Sequence, residues 1–474
     1  MIDIKTKIHD KYSIEFKVGF VTRRKSHKSD FTVGMWIFVP GSLDITPSTY
    51  TKSDFYRDVK SNVRLITPRF ILGDIVGGDA VPLENVKRAA KAMASDPTRS
   101  NTAEFVYQVK MFAAIVKSSL REEANFIIDS QKQPLLFDRF TSNLGAIIDA
   151  YMGLEQFILA PTVGEEGLEA YNFSADFICT VAVQHSLKVL KAIADDPSLK
   201  SQADELRSLV RRINKLREDR GYSPTTDVYR HGVLKKYVES QLFLRVPKKR
   251  DGVLIEQAYY SLAAGLAMLF ATVVAWAFQR KFGNLTWPLF IALIISYMMK
   301  DRIKELMRFY FAHRVNDKYF DNKAHIKLKS KKIGQLKEAV DFISRSQVPT
   351  EIAKIRSTGA LFSSDHIRDD ERVLLYRKTV HIDRDKMMED ADYNYSGVND
   401  IIRLQVNSFL YKMDNPLIPL SSLDEDGNLK VTLCPKLYYL NIVLRYEYDD
   451  TVDYKHFRIS LDRDGIKAIE EISI

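Results

Sequence analysis

Residues 257–299 read QAYYSLAAGLAMLFATVVAWAFQRKFGNLTWPLFIALIISYMM. Two long uncharged runs, 257–279 and 282–299, are separated only by Arg280 and Lys281. A helix rises about 1.5 Å per residue, so about 20 apolar residues cross a hydrocarbon core about 30 Å thick. The stretch therefore predicts a transmembrane hairpin of two helices over 257–299.

Aromatic residues mark both ends of the two runs. Tyr259 and Tyr260 open the first run, Tyr297 closes the second, and Trp276 and Trp287 flank the connecting turn. Amphipathic aromatic side chains are enriched where a bilayer meets water. A pair of helices buried in a large soluble core is the alternative interpretation, but such core helices are usually shorter than these runs.

Basic residues concentrate at the open end of the predicted hairpin. Those just before and just after it are Arg245, Lys248, Lys249, Arg250, Lys300, Arg302, Lys304, Arg308, Arg314 and Lys318. The turn holds only Arg280 and Lys281. By the positive-inside rule, we expect a two-span protein of the cell inner membrane with both termini in the cytoplasm.

The net charge of +9 is located at the membrane-proximal segments. Residues 300–337 carry +8 and residues 235–250 carry +5, which leaves −4 for the remainder of the chain. Basic clusters beside a span attract anionic lipids, and a solvated helix face is the alternative. Nucleic acid is disfavoured as a partner because residues 323–332 have few stacking aromatics nearby. The predicted headgroup contacts are Lys248, Lys249, Arg250, Lys300, Arg302, Lys304 and Arg308.

Four alanines form a ridge along the first run. Ala263, Ala267, Ala271 and Ala275 recur every four residues, so they lie on one side of a helix. Small residues let a neighbouring helix approach closely in a membrane. Its partner is either the second helix of the same hairpin or another copy of the chain in a homo-oligomer.

The remaining chain alternates between two kinds of periodicity. Period-two alternation predicts a strand at 12–21, and residues 31–39 are apolar on both faces, which predicts a strand inside a sheet or under helices. Near the carboxyl end, strands are predicted at 373–382, 401–413, 429–433, 437–448 and 452–461, followed by a terminal helix at 466–472. Helical periodicity covers most of 82–244. The predicted organisation is an N-terminal β-rich segment with a β-hairpin (1–80), a cytoplasmic helical bundle (81–246), the transmembrane hairpin (257–299), a basic helical stalk (300–343), a linker (344–370) and an antiparallel β-rich domain (371–474). The sequence leaves open whether the N- and C-terminal strands share one sheet.

Several acidic or glycine-rich motifs resemble ligand sites but lack essential residues. The loop at 73–79 has neither P-loop nor dinucleotide spacing, and the stretch at 424–428 has Pro435 where a calcium loop needs glutamate. The bundle carries Glu155, Glu169, Asp176 and His185, but a Glu-x-x-His motif, which a di-iron site requires, does not occur. We therefore predict no cofactor, no metal and no catalytic residues.

Function follows from location in this interpretation. The leading hypothesis is a non-enzymatic, membrane-anchored scaffold or sensor that recruits an unidentified protein partner to the inner leaflet. One alternative is an oligomerising membrane-perturbing effector, for instance in bacterial defence, motivated by the alanine ridge. The other is an enzyme whose residues converge from distant segments, with either the bundle carboxylates or His381, Asp383 and Asp385 as candidates. The last three share one face if the strand continues.

Overall fold

The computed structural model describes residues 2–21, 27–77, 81–130, 133–194, 196–222, 228–283, 286–316, 320–329, 331–358, 371–389, 391–423, 428–448 and 451–474. These residues divide into two compact units. The β-rich unit comprises residues 1–63, 245–390 and 399–474, and the helical unit comprises residues 64–244 and 391–398. The N-terminal sheet, the helical middle and the C-terminal antiparallel sheet predicted from the sequence are confirmed.

The strands lie mostly towards the two ends of the chain and range from 3 to 13 residues in length. In chain order they are β1 (Ile2–Asp10), β2 (Ser13–Val21), β3 (Lys28–Val39), β4 (Val59–Leu65), β5 (Lys248–Arg250), β6 (Asn322–Leu328), β7 (Lys331–Ile343), β8 (Arg372–Asp383), β9 (Gly397–Gln405), β10 (Leu417–Leu423), β11 (Leu429–Pro435), β12 (Tyr438–Tyr448), β13 (Thr451–Asp462) and β14 (Gly465–Ile472).

The helices occupy the middle of the chain and a few connections between strands. They are α1 (Lys52–Asp58), α2 (Val81–Ser95), α3 (Arg99–Asp129), α4 (Pro134–Met152), α5 (Glu155–Ile158), α6 (Glu165–Ala192), α7 (Lys200–Asp219), α8 (Val228–Glu239), α9 (Val253–Phe282), α10 (Trp287–Asn316), α11 (Thr350–Ser357), α12 (Arg384–Met388) and α13 (Asn407–Leu410).

An eight-stranded sheet organises the β-rich unit. Its order is β14-β13-β12-β3-β8-β7-β6-β5, and each neighbouring pair is antiparallel. The N-terminal strand β3 lies between β12 and β8, pairing Ile37 with Ile442 on one side and with Leu374 on the other. Strands from both ends of the chain therefore form one sheet. β3 is apolar on both faces because it is covered on both sides.

A four-stranded sheet packs on one face of the larger sheet. Its order is β1-β2-β9-β4. The ring of Phe20 in β2 stacks on Phe31 in β3 with centroids 3.6 Å apart, and Phe16 lies 5.9 Å from Phe457 in β13. On the opposite face, Ile352 and Ile355 of α11 pack against a cluster that includes Trp36, Phe38, Val373 and Val443.

The helical unit is built around α3 and α6. A stack of aromatic rings, Phe112 on Tyr151 and Tyr151 on Tyr171, fills its interior with centroids 5.6 and 5.3 Å apart. The buried hydroxyl of Tyr151 donates to the carbonyl of Tyr171, so this polar atom is satisfied inside the core.

The prediction of a helical stalk over 300–343 is wrong in its second half. α10 ends at Asn316, and β6 and β7 follow it. The lysines of this stretch suggested a solvated helix, but Ala324 and Ile326 alternate with Lys323, His325 and Lys327. That period of two is the pattern of a half-buried strand.

Three predictions near the carboxyl end also require correction. The terminal helix expected at 466–472 is strand β14. The strand expected at 401–413 ends at Gln405 and gives way to α13. The expected linker at 344–370 contains α11, and residues 359–370 lie outside the described residues. A short apolar segment does not distinguish strand from helix by itself, because its neighbours decide.

The second membrane span is not confirmed. α10 begins at Trp287, so its uncharged part covers only 287–299, 13 residues or about 20 Å. Among the described residues, α9 is the one helix long and apolar enough to cross a bilayer. The sequence prediction counted the connecting turn as part of the second helix.

Candidate functional site

The hairpin of α9 and α10 leaves the β-rich unit through a pair of edge strands. β5 runs into α9, and β6 follows α10 after the short segment 317–321, of which 317–319 lie outside the described residues. The antiparallel register pairs Lys248 with Ala324 and Arg250 with Asn322. The amide of Asp251 also donates to the carbonyl of Asp321 at 3.2 Å. Paired strands lie about 4.8 Å apart, so the two ends of the hairpin are held side by side.

A buried glutamate ties these two strands to the sheet. The carboxylate of Glu338 in β7 is fully buried and accepts from the ammonium of Lys248 at 2.6 Å. It also accepts from the side-chain amide of Asn322 at 3.1 Å and from the hydroxyl of Tyr376 at 2.9 Å. One carboxylate therefore connects β5, β6, β7 and β8, because each of these strands contributes a group to it.

A second carboxylate anchors the start of β6. Asp321 accepts from Lys52 at 2.8 Å, from the hydroxyl of Tyr56 at 2.9 Å and from the amide of Val340 at 2.8 Å. Desolvation and the proximity of Asp321 raise the pKa of Tyr56. Burial alone would lower the pKa of Lys52, but its bonds to Asp321 and Asp341 outweigh burial and raise it. Lys52 therefore stays charged and holds α1 against the base of the hairpin.

A buried ion pair lies next to Glu338. The ammonium of Lys378 donates to Asp400 and to the hydroxyl of Ser61, and both charged side chains are fully buried. Desolvation lowers the pKa of Lys378 and raises the pKa of Asp400, so burial works against the charged form of each. A buried pair of this kind is costly to break by removing one partner.

This polar network was not predicted from the sequence, although the sequence carries a signal for part of it. Lys378 shares its strand face with Tyr376, Val380 and Ile382, where period two predicts apolar residues. A charged residue at a position predicted to be buried indicates a buried partner. That partner, Asp400, lies in β9, and the sequence around Lys378 does not identify it.

The alanine ridge of α9 lies against α10 of the same chain. Ala263 and Ala267 are buried, and Ala271 and Ala275 are half-buried. On α10 the buried small residues are Ala292 and Ser296, and the hydroxyl of Ser296 lies 3.4 Å from the carbonyl of Ala271. The first of the two partners considered for the ridge thus occupies it in this structure. The effector hypothesis rested on the ridge being available to another copy.

The outer surface of the hairpin is apolar and exposed. Leu269 and Val273 of α9 have 61% and 54% of their surface exposed. In α10 the consecutive residues Leu293, Ile294 and Ile295 are all exposed, and three consecutive helical residues point in widely different directions. Soluble monomers rarely expose contiguous apolar patches of this kind, so the surface indicates a partner. The other exposed apolar residues include Leu262, Leu266, Met268, Phe270, Trp276, Phe290, Ile291 and Met298.

The predicted headgroup residues lie around the base of the hairpin, and several have partners within the chain. Lys248 pairs with Glu338, and Arg250 lies 3.1 Å from Glu256.

On α10, Arg302 lies 3.6 Å from Glu305, Lys300 lies 4.0 Å from Asp301 and covers the ring of Tyr297, and Arg308 covers the ring of Tyr260. Lys249 is exposed and Lys304 is half-exposed. The seven residues are thus divided between β5, which precedes α9, and the charged part of α10.

The residues considered for an enzyme site near the end of β8 each contact a local partner. His381 pairs with Asp30, Asp385 pairs with His27 at 2.7 Å, and Asp383 caps α12 through the amide of Lys386.

In the helical unit, Asp176 is held by Arg217 and Arg230, Glu155 pairs with Arg220, and Glu169 is exposed. Burial lowers the pKa of His185 to about 4. Within the described ranges, no group of three His, Cys, Asp or Glu side chains is placed to hold a metal ion.

Comparison with known proteins adds no relative: no family model, no curated protein and no solved structure matches this chain. The features that bear on function are therefore the hairpin, its base and their surface chemistry.

Proposed function

We propose that this chain is a membrane-anchored scaffold or sensor, in which the hairpin of α9 and α10 inserts into a bilayer and holds the two folded units at one membrane face. The observation that carries the proposal is the apolar outer surface of the hairpin, exposed on all sides except the one where the two helices meet. Lipid hydrocarbon is the partner that covers such a surface all round, whereas a protein groove covers one side.

The base of the hairpin supports a topology with both ends on one side of the membrane. Since β5 and β6 pair, the chain has to return to the side that it left for the pairing to persist. The excess of Lys and Arg at the base over Arg280 and Lys281 at the tip favours the cytoplasmic side of the inner membrane. In this arrangement both helices span the bilayer and both termini are cytoplasmic.

The scaffold role is supported by the contacts that the polar side chains make within the chain. The buried carboxylate of Glu338 and the half-buried carboxylate of Asp321 join the hairpin base to the sheet, and His381, Asp383 and Asp385 make separate local contacts. A unit fixed rigidly to its anchor presents its surfaces at high effective concentration to any partner at the membrane.

Membrane attachment is tested by fractionation and by vesicle flotation. The expected result is that the full chain stays with membranes after an alkaline carbonate wash and floats with vesicles, whereas the variant Leu269→Lys with Val273→Lys does neither. Recovery of the unaltered chain in the soluble fraction without detergent would contradict the anchor.

Recruitment is tested by proximity labelling from the β-rich unit in cells. If the chain is a scaffold, the unaltered chain is expected to label at least one neighbouring protein. The variant with Leu269→Lys and Val273→Lys is expected not to label that protein. A purified, lipid-bound chain that turns over nucleotides, phospholipids or nucleic acid in an activity screen would contradict the non-enzymatic role.

A further inference from the structure

The edge strands that carry the hairpin have two chemically different faces. In β6 and β7, Ala324, Ile326 and Ile333 are buried, whereas Lys327 and Lys332 are exposed. A register shift after Ile326 lets Ile333 turn inward and still places Lys332 opposite Lys327. The sheet therefore keeps an apolar inner face and an outer face of lysines in the same short segment.

The register brings the outward cations together in rows. Lys249 pairs with Lys323, and Lys323 pairs with Lys337, so the first row crosses β5, β6 and β7. Directly opposite residues of antiparallel strands share a face, and like charges there are destabilising. We call this row, together with the next one, the lysine ladder.

The second row lies four residues further along β6, at Lys327. An isolated bridge pairs Arg245 with Lys327, and Lys327 pairs with Lys332. Both lysines are exposed. The ladder thus comprises Arg245, Lys249, Lys323, Lys327, Lys332 and Lys337.

The carboxylates of the same strands are engaged elsewhere. Strands β5, β6 and β7 contain two acidic residues, the buried Glu338 and Asp341. Asp341 lies at the far end of β7, where it pairs with Lys52 at 2.7 Å and Arg377 at 3.0 Å. At the other end of the ladder, Lys331 lies 3.6 Å from Glu389. The two rows themselves have no carboxylate from these strands.

A histidine between the two rows responds to this charge. His325 lies between Lys323 and Lys327 in sequence and pairs with Gln335 across the strands. Desolvation lowers the pKa of His325, and the charges of Lys332, Lys323, Lys327 and Lys249 lower it further. The positive potential of the ladder therefore disfavours the protonated, charged form of His325.

We propose that the lysine ladder binds the anionic headgroups of the bilayer into which the hairpin inserts, so that this protein selects membranes rich in anionic lipid. The ladder lies on the strands that continue into the hairpin, with Lys249 only four residues before α9 begins. A polyanionic surface is the partner complementary to rows of like cations, and the bilayer is the polyanion nearest to these strands. This inference rests on the proposed membrane insertion.

The test uses nanodiscs made from equal amounts of phosphatidylcholine and phosphatidylglycerol. The ladder variant carries Lys323→Gln, Lys327→Gln and Lys332→Gln. A matched control carries Lys60→Gln, Lys354→Gln and Lys430→Gln, three exposed lysines of the β-rich unit, so both variants lose the same charge. Incorporation into nanodiscs is measured first, and native mass spectrometry after detergent extraction then gives the ratio of retained phosphatidylglycerol to phosphatidylcholine.

The expected result is equal incorporation of all three proteins, with loss of the anionic preference in the ladder variant alone. Each removed charge is expected to lower that preference about fivefold. Failure of the unaltered chain to incorporate would count against the hairpin and thus the proposed function. Normal incorporation with an unchanged lipid ratio in the ladder variant would overturn the inference while leaving the anchor intact.

Two further measurements keep the result interpretable. Because the ladder cations repel one another, the ladder variant is expected to melt at the same temperature as the unaltered chain or higher. If it melts lower, the single variant Lys327→Gln takes its place and is expected to show the fivefold effect of one charge. Tight binding of a single-stranded or duplex oligonucleotide, lost in the ladder variant with no change in lipid ratio, would overturn the inference in favour of nucleic acid.

Discussion

Helices α9 and α10 have the same length, 30 residues each, but charge is distributed differently along them. α9 is uncharged over 257–279, whereas α10 is uncharged over 287–299 and then carries Lys300, Asp301, Arg302, Lys304, Glu305 and Arg308. The two helices pack on one another between Ser296 and Arg308 of α10, so their levels can be compared directly.

Two contacts set the relative levels of the helices. Ser296 lies beside Ala271, and Arg308 lies over the ring of Tyr260 at 5.2 Å. The charged half of α10 therefore lies beside the lower part of the uncharged run of α9. From the tip to Lys300, both helices are uncharged for about 20 Å, which is less than a hydrocarbon core of about 30 Å.

The uncharged length of α9 alone is therefore greater than the uncharged length of the hairpin as a whole. In the proposed arrangement, the first charged residues of α10, from Lys300 to Glu305, lie in the last part of the hydrocarbon core, about 10 Å deep, where charged side chains reach the headgroups at low cost. Arg302 with Glu305 and Lys300 with Asp301 reduce that cost further by pairing.

The largest expected effect is a difference in membrane insertion between charged substitutions in α9 and in α10. Placing Lys at both Leu269 and Val273 of α9 is expected to weaken membrane insertion on the order of 100-fold per residue, because each charge enters hydrocarbon. The matched change Leu306→Lys, at a similarly exposed residue in the charged half of α10, is expected to have little effect. Vesicle flotation measures both, and equal losses at the two sites would break the comparison.

A second prediction concerns the base that holds the two helices together. Lys248→Met leaves the buried carboxylate of Glu338 without its cation and is expected to destabilise the β-rich unit by about 3 kcal/mol. Lys249→Met, at the next residue on the outer face, removes a repulsive charge and is expected to cost nothing. Thermal melting in detergent measures the difference, and identical midpoints for the two variants would contradict the role of Glu338.

A third prediction concerns the close packing between α9 and α10. Ala267→Leu forces a larger side chain between α9 and α10 and is expected to cost about 2 kcal/mol. Ala264→Leu, on the exposed side of the same helix, is expected to be neutral and to insert equally well. The thermal midpoint in detergent again reports the effect. A larger loss at Ala264 than at Ala267 would show that the outer side, not the ridge, is the packed one.

The smallest effect is expected at the polar contact within the hairpin. Ser296→Ala removes the long hydrogen bond to the carbonyl of Ala271 and is expected to cost less than about 0.6 kcal/mol. Melting of this variant beside Ala267→Leu ranks the two contributions. A greater loss for Ser296→Ala would mean that hydrogen bonding, and not close packing, holds the helices together.

Sequence periodicity predicted much of the secondary structure because most strands and helices bury one regular face. The strand pattern at 31–39 indicated a strand covered on both sides, and β3 is such a strand. The same reasoning failed at 322–343, where the lysines of the outer face concealed the alternation of Ala324, Ile326 and Ile333.

The contacts of the polar groups at the hairpin base could not be predicted from the sequence. Glu338 and Asp321 bind side chains from four distant segments, including Lys52 and Lys248. Such contacts depend on strand order, and strand order depends on which distant segments pair. The hairpin itself was predictable because its signal is local, but the start of α10 at Trp287 depended on how the turn folds.

Depth measurement along the hairpin tests the central claim most directly. Single cysteines at Leu269, Ile294 and Arg302 are labelled with a fluorophore in a chain carrying Cys434→Ser. Cys179 stays in place because it is buried and burial raises the pKa of its thiol to about 12. In reconstituted vesicles, quenchers on lipid acyl chains are expected to act on the labels at Leu269 and Ile294, and aqueous iodide on the label at Arg302. Quenching of all three labels by iodide alone would contradict insertion of the hairpin into the bilayer.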